Sequence, residues 1–255
     1  IAKTSGLGTV EKRQSLFASL LRRADGKAAK YLVRIPLGNL RLGIGDPTIL
    51  DGLAKAKLGD KSKRKLLEGA YNRTSDLGLI AKTLWEKGLN AVIKLQVIVG
   101  KPIRSELCER LPNAEKVIEK MQIVSVQPKY DGFRVQIHLD RTRPARSDAQ
   151  DLAGQEQVKM FSRNLENMTH MFPELIEGSL RQVKAKTAIL DTEALAYQPE
   201  SEEFLPFQET TKRRRKHNIE EVAKTLPLKA FVFDILYKDG KSLLAFSLTS
   251  SGVDC

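Results

Sequence analysis

Lys129-Tyr130-Asp131-Gly132-Phe133-Arg134 sets a lysine and an arginine on either side of an Asp-Gly pair, between two segments with the composition of strands. Downstream, Phe133, Val135, Ile137 and Leu139 alternate with Arg134, Gln136, His138 and Asp140, the period of a half-buried strand. Arg134 then faces away from the apolar layer. Upstream, Met121 to Gln127 is rich in Ile and Val, and Asp-Gly is the dipeptide of a tight hairpin connection. The reading therefore places Lys129 at the mouth of a β-hairpin. A lysine amine attacks phosphorus only when neutral, so a covalent role needs desolvation, or a nearby arginine or metal ion, to release its proton. Arg134 is the candidate for that charge. Taken alone, the motif reads more simply as a surface lysine beside an ordinary turn.

Three further stretches bear on it. Met160-Phe161-Ser162-Arg163-Asn164 precedes a helix-like segment, and Ala188 to Tyr197 reads as a buried strand. Two-residue spacing puts Asp191 and Glu193 of that strand on one face, where two carboxylates suit a hydrated Mg²⁺ or ribose hydroxyls. Phe231 to Tyr237 reads as a strand with Phe231, Phe233, Ile235 and Tyr237 on one face, one ring of which can stack on a base. Singly, each has an ordinary explanation: exposed carboxylates are usually solvated, and an aromatic stripe is usually core.

In this order the motifs resemble those of ATP-dependent DNA ligases of archaeal and eukaryotic type, within the covalent nucleotidyltransferases. The resemblance runs from about Tyr31 to Leu244 and takes in the Arg34 to Ala54 block, Gly100-Lys101-Pro102-Ile103-Arg104 and Leu205-Pro206-Phe207-Gln208. It implies that Lys129 is the residue adenylated by ATP, that Arg134 and Arg163 contact the nucleotide, and that Phe233 packs against adenine. Glu193 would bind ribose or help place Mg²⁺, with Asp191 the second metal candidate. Gln127 stands where the family commonly has glutamate, and its amide oxygen can accept from the adenine amine. Thr192 stands where the family has glycine. The implied chemistry is lysyl-AMP formation, AMP transfer to a 5′-phosphate at a nick, and displacement of AMP by the 3′-hydroxyl, steps governed by positioning and charge neutralisation. Roles in DNA replication, repair and recombination, and an intracellular location, enter by the same resemblance. Two other readings stand beside it: an RNA ligase or capping-type nucleotidyltransferase, and a catalytically inert DNA-binding fragment of a ligase.

The net charge of +12 over 255 residues favours a phosphate backbone through counterion release, although a basic balance also occurs in proteins without such a role. Nicked duplex DNA is the expected partner, with the protein a monomer and no sliding-clamp docking motif evident. Two cysteines, Cys108 and Cys255, make no disulfide framework. The three histidines show no zinc-ligand spacing, which also argues against the zinc-bearing NAD-dependent ligases. No apolar run is long enough to span a membrane.

The expected architecture is multi-domain, all-α followed by α+β. Residues 1–100 form a helical DNA-binding domain expected to lack its own beginning. Residues 101–255 form a nucleotidyltransferase domain with an antiparallel, ATP-grasp-like sheet, expected to be C-terminally incomplete. In the first part, Thr9 is a candidate N-cap for a helix carrying Val10, Phe17, Leu20 and Leu21 on one face. Asp46-Pro47 opens another helix through Leu58, and Ser75 caps one reaching about Lys87. Gly38 to Gly45 is a glycine-rich connection in which Arg41, Gly43 and Gly45 are candidate phosphate-backbone contacts, by resemblance part of the ligase DNA-binding domain. Val97 to Pro112 reads as a linker, Asn113 as the cap of a short helix to Lys120, and Arg141 to Gln157 as a long exposed loop. The run Lys212-Arg213-Arg214-Arg215-Lys216 is either a solvated basic turn or a DNA-backbone contact.

Overall fold

The computed structural model describes residues 8–35, 43–105, 109–144, 156–214 and 218–244. The chain divides into two compact units, residues 1–52 and 53–255.

The first unit is helical. Helix α1 (Thr9–Arg22) starts after Gly8, whose left-handed backbone (φ 72°) takes the N-cap position that the sequence assigns to Thr9. Helix α2 (Gly26–Arg34) is capped by Asp25, whose carboxylate accepts the Ala28 N–H at 2.7 Å, an arrangement worth ~1 kcal/mol. Helix α3 (Asp46–Leu58) carries Pro47 in its first turn as expected, and its opening bond runs from the Ile49 N–H to the Gly45 carbonyl at 3.1 Å.

In the second unit, helices α4 (Arg64–Thr74), α5 (Leu77–Lys87) and α6 (Leu89–Ile93) bury Leu67, Ala70, Tyr71, Ile80, Leu84 and Val92. The α5 cap is Asp76 rather than Ser75. Ser75 takes the left-handed conformation (φ 49°) that closes α4, and the Asp76 carboxylate then accepts the Leu79 N–H at 2.8 Å. Helix α7 (Ala114–Met121) is capped by Asn113 as expected. Strands β1 (Phe133–Asp140), β2 (Val158–Ser162), β3 (Thr187–Ala196), β4 (Leu228–Lys238) and β5 (Lys241–Ser242) form one antiparallel sheet in the order β2-β1-β3-β4-β5. Helix α8 (Pro173–Gln182) lies on one face. There Val135, Ile137, Leu139, Met160 and Leu190 meet Phe172, Leu175 and Ile176, each such side chain contributing ~1.5–3 kcal/mol by leaving water. Two short helices, α9 (Phe207–Thr211) and α10 (Ile219–Thr225), belong to the same unit.

Beyond the two helix caps, four features depart from the sequence expectation. No hairpin forms at Asp131-Gly132, because residues 122–132 contain no strand and β1 pairs with β2 and β3. The apolar residues that suggest an upstream strand stand in solvent, Ile123 at 76% and Val126 at 89% exposure. Glycine is needed at 132 for a different reason: a Cβ there would lie 2.2 Å from the Ala194 carbonyl oxygen, so only glycine lets the chain enter β1 this close to β3.

The polar face of β1 is also not open. Arg134, Gln136 and His138 do point away from the apolar layer, but Val97 to Ser105 crosses over them as a strap. The Gln136 side-chain amide accepts the Ile103 N–H at 2.7 Å and donates to the Ile103 carbonyl at 3.2 Å, while the Gly100 N–H donates to His138 Nδ1 at 3.0 Å. Val97 and Ile103 pack with Ile189 and Leu236, so Gln136 and His138 are 4% and 1% exposed. Of the stretch read as a linker, residues 97–105 are thus an ordered strap fastened by side chains.

Strand β4 departs from simple alternation. Its pairing with β3 shifts register twice, between Ile189/Leu190 and Asp191/Thr192, so Ile235 packs with the α8-side core while Tyr237 packs under the strap. The four residues read as one stripe are divided between two faces.

Finally, the basic run is not a uniform patch. Arg213 is 1% exposed and ion-paired with Glu174 at 2.6 Å, Lys212 pairs with Glu209 and Arg214 with Glu166. Arg215 and Lys216 lie outside the described residues.

Candidate active site

The polar face between β1 and β3 gathers four of the residues singled out in the sequence. Asp191 and Glu193 share a face as expected, and Arg134 stands opposite Glu193 in the β1–β3 register. Its guanidinium reaches diagonally to Asp191, with Nε donating to Oδ1 at 2.5 Å and Nη2 to Oδ2, while Nη1 donates to the Ser105 hydroxyl on the strap. Both Asp191 oxygens are engaged by one planar fork, a geometry specific to arginine. Burial pushes the Asp191 carboxyl above its ordinary range, opposed by Arg134 and reinforced by the Asp234 carboxylate.

Glu193 is half-buried. Burial raises its pKa too, opposed by the Gly132 backbone N–H, which hydrogen-bonds the carboxylate, and by the charges of Lys129 and Arg134. The close passage at Gly132 therefore does two things: it lets the backbone reach Glu193, and it brings the exposed Lys129 alongside that carboxylate. Lys129, Glu193, Arg134 and Asp191 form one constellation.

Gln127 and Phe233 lie 106 residues apart in sequence yet meet, the Gln127 Nε2 donating to the Phe233 carbonyl at 3.1 Å. Phe233 stands at the second β4 irregularity, where Asp191 pairs with Asp234 and Thr192 with Val232. Thr192 itself turns to the core, fully buried, with its hydroxyl donating to the Val135 carbonyl at 2.7 Å. Arg163 follows directly on β2 and lines a cavity with Arg104, Ser105, Asn164 and Leu165. Arg41 lies outside the described residues. Gly43 adopts a left-handed backbone (φ 68°), and Gly45 accepts the first bond of α3, both within the first unit.

Sequence reasoning missed several members of this region. Tyr130, next to Lys129, stacks on Phe231 with ring centroids 4.4 Å apart, and Phe204 meets Phe231 edge-on at 5.2 Å. Arg104 was legible only as the end of the Gly100–Arg104 block, and Ser105, just beyond it, not at all. Gln136 and His138 gave no signal beyond alternation.

No group of three or more His, Cys, Asp or Glu side chains among the described residues is placed to hold a metal ion by itself. Mg²⁺ is commonly held by one or two carboxylates together with substrate phosphates, and Glu193 fits that donor set, whereas Asp191 is occupied by Arg134. No helix among the described residues is long and apolar enough to cross a membrane.

Comparison with known proteins places these features in context. Residues 105–251 match the model of the ATP dependent DNA ligase domain, and residues 1–54 match that of the DNA ligase N terminus. A probable DNA ligase of Dictyoglomus turgidum is 45% identical over 95% of this chain and 39% of its own length. DNA ligase 2 of Thermofilum pendens is 41% identical over 96% of this chain and 38% of its own. The DNA ligase of Saccharolobus solfataricus is 41% identical over 93% and 37%. The chain thus spans about two fifths of the length of the relatives it matches. A solved mycobacterial DNA ligase D complexed with ATP and MES overlaps 47% of this chain and 31% of its own at 20% identity and a TM-score of 0.33, a likeness too slight to bear on the reading.

Proposed function

The chain belongs to the ATP-dependent DNA ligases, and on that premise we propose that it takes AMP from ATP onto Lys129 for the sealing of nicks in duplex DNA. The observation that carries the reading is the passage of the chain at Gly132, which sets Lys129 beside Glu193 and next to the paired Arg134 and Asp191.

In the first step the Lys129 amine, having lost a proton, forms a bond to the α-phosphorus as pyrophosphate leaves. The AMP then moves to an oxygen of the 5′-phosphate at the nick, freeing the lysine, and the 3′-hydroxyl attacks that phosphorus and expels AMP. These are displacements in which positioning and charge neutralisation dominate. Arg134, held in one orientation by Asp191 and Ser105, and Arg163, at the open cavity, supply fixed positive charge. Gln127 and Phe233, joined by their hydrogen bond, form the adenine end, with the Gln127 amide oxygen toward the exocyclic amine. Glu193 contacts ribose or, with substrate phosphates, would hold Mg²⁺, which when bound would neutralise charge on the departing pyrophosphate; Asp191, the other metal candidate, is engaged by Arg134 on both oxygens.

Residues 1–100 serve as a helical DNA-binding domain and residues 101–255 as the nucleotidyltransferase domain. The charge of +12 and the Gly43 to Gly45 approach to α3 suit a backbone-tracking contact that reads no bases, with Arg41, two residues before Gly43 in the sequence, the candidate side chain. The protein acts as a monomer inside the cell.

The test is incubation with α-labelled ATP and Mg²⁺, a denaturing quench, and a search for covalent nucleotide on the protein. Label from ATP but not GTP, lost in Lys129→Ala, is the expected result. Label retained in Lys129→Ala would overturn the assignment of the nucleophile, and a preference for GTP would point to a capping-type enzyme.

A further inference from the structure

The strap ends at an open cavity of about 350 Å³ lined by Arg104, Ser105, Arg163, Asn164 and Leu165. Arg163 is exposed and makes no hydrogen bond or ion pair among the described residues. Ser105 accepts a hydrogen bond from Arg134, which joins the cavity to the paired Arg134 and Asp191. Among the described residues the lining holds two guanidinium groups, a hydroxyl and an amide, and no carboxylate. Guanidinium forks match the oxygens of phosphate groups.

Resting on the ligase reading above, we propose that Arg104 is a further phosphate-binding residue of the transfer site, acting beside Arg163. It is held as a binding group is held. Its backbone N–H donates to the Asn72 carbonyl at 3.0 Å, its Nη1 donates to the Tyr71 hydroxyl at 2.9 Å, and its guanidinium carbon lies 4.9 Å from the centroid of the buried Tyr71 ring. The preceding residue, Ile103, is fixed on both backbone groups by Gln136. A cation so restrained loses little rotamer freedom on taking a ligand. The ligand is a phosphate group, and two substrates offer one: the triphosphate of ATP and the 5′-phosphate of nicked DNA.

Three measurements on the wild-type chain, Arg104→Gln and Arg104→Lys decide the matter: pyrophosphate affinity by calorimetry, lysyl-AMP formation from α-labelled ATP, and the affinity ratio for nicked duplex with 5′-phosphate against 5′-hydroxyl. Gln keeps a long stem and an N–H for Tyr71, and thermal melts establish that both variants fold. Arg104→Gln is expected to weaken pyrophosphate binding ~tenfold, as loss of a charged hydrogen-bond donor does, with Arg104→Lys intermediate. A parallel fall in labelling with nick discrimination intact assigns the site to the triphosphate; lost discrimination with labelling intact assigns it to the 5′-phosphate. The proposal is overturned if Arg104→Gln matches wild type in all three, or if the wild type does not bind pyrophosphate. A wild type that binds pyrophosphate through Arg104 but neither labels nor discriminates would sink the ligase reading and leave the anion site standing.

Discussion

Arg134 and Asp191 meet across the β1–β3 ladder on its polar face, Nε to Oδ1 at 2.5 Å, with both carboxylate oxygens in the grip of one guanidinium. Asp191 is 5% exposed at its side chain and Arg134 22%, so removing either leaves a charge in a poorly solvated place. Asp191→Ala is expected to cost about 3 kcal/mol of stability. The Arg134→Ala/Asp191→Ala double variant should cost less than the two single changes summed, with a coupling energy of ~1–3 kcal/mol. Urea unfolding of the four proteins measures it; simple additivity would mean that the pair is not coupled.

Gly132→Ala tests the close passage. The added carbon meets backbone, 2.2 Å from the Ala194 oxygen and 2.9 Å from its carbonyl carbon, and backbone cannot swing aside as a flexible side chain does. Overpacking of this kind costs ~1–3 kcal/mol or more, and relief here requires β1 to separate from β3. The melting temperature should fall by several degrees, and in the labelling assay lysyl-AMP formation should fall further than stability alone accounts for. An unchanged melting temperature would show that the strands can part without loss.

His138 gives the chain an acid-sensitive point. Burial, with a smaller contribution from Lys159, depresses its pKa from 6.5 to about 3. The neutral ring accepts the Gly100 N–H at Nδ1, leaving Nε2 to donate to Gln136 Oε1 at 2.9 Å. Between those two values the unfolded chain binds a proton that the folded chain does not, so stability rises with pH and is lost on acidification below 6.5. The slope approaches ~1.4 kcal/mol per pH unit and flattens near the folded value. Asp76 and Asp140, whose carboxyls sit below their ordinary range, add their own acid dependence. Denaturation midpoints of the wild type and His138→Gln from pH 7 to 4 isolate the histidine: the wild-type curve should be the steeper, and parallel curves would refute its role.

Arg213 is expected to behave as a structural residue. Arg213 is buried against the partly buried Glu174, and Arg213 Nε and Glu174 Oε2 have no hydrogen-bond partner among the described residues. Arg213→Ala should destabilise by ~3–5 kcal/mol, while Arg213→Met with Glu174→Leu should be near neutral or stabilising, since a buried pair barely offsets its own desolvation. Chemical denaturation distinguishes the two. A loss of DNA affinity in the double variant without loss of stability would instead return Arg213 to the DNA-contact reading.

The sequence carried the strands well, because the alternation of Val135, Ile137 and Leu139 with Arg134, Gln136 and His138 is a local property of β1. The same alternation put Asp191 and Glu193 on one face. What it could not carry was pairing at a distance. Asp-Gly reads as a hairpin from its neighbours alone, whereas the need for glycine at 132 comes from a carbonyl at Ala194. The strap looks like a linker because its partners, Gln136 and His138, lie 33 and 38 residues away from Ile103 and Gly100. The two register shifts in β4 have no glycine or proline to announce them, so the aromatic stripe seemed continuous. The identity of Arg213 was plain, and only its burial against Glu174 reveals that it is not a surface charge.

Neighbouring strands are joined through main-chain groups that every residue except proline possesses, so such a join survives most substitutions. The strap is joined to β1 through the side chains of Arg134, Gln136 and His138 instead. Its polar attachment to the strand is therefore written in three particular residues, and a replacement at 136 removes both bonds to Ile103 while leaving the sheet's own ladder whole. Because the strap runs on into Arg104 and Ser105, the placement of charge at the cavity is inherited from a glutamine in the middle of a strand. In this chain a buried amide acts as a set screw for a surface that it never touches.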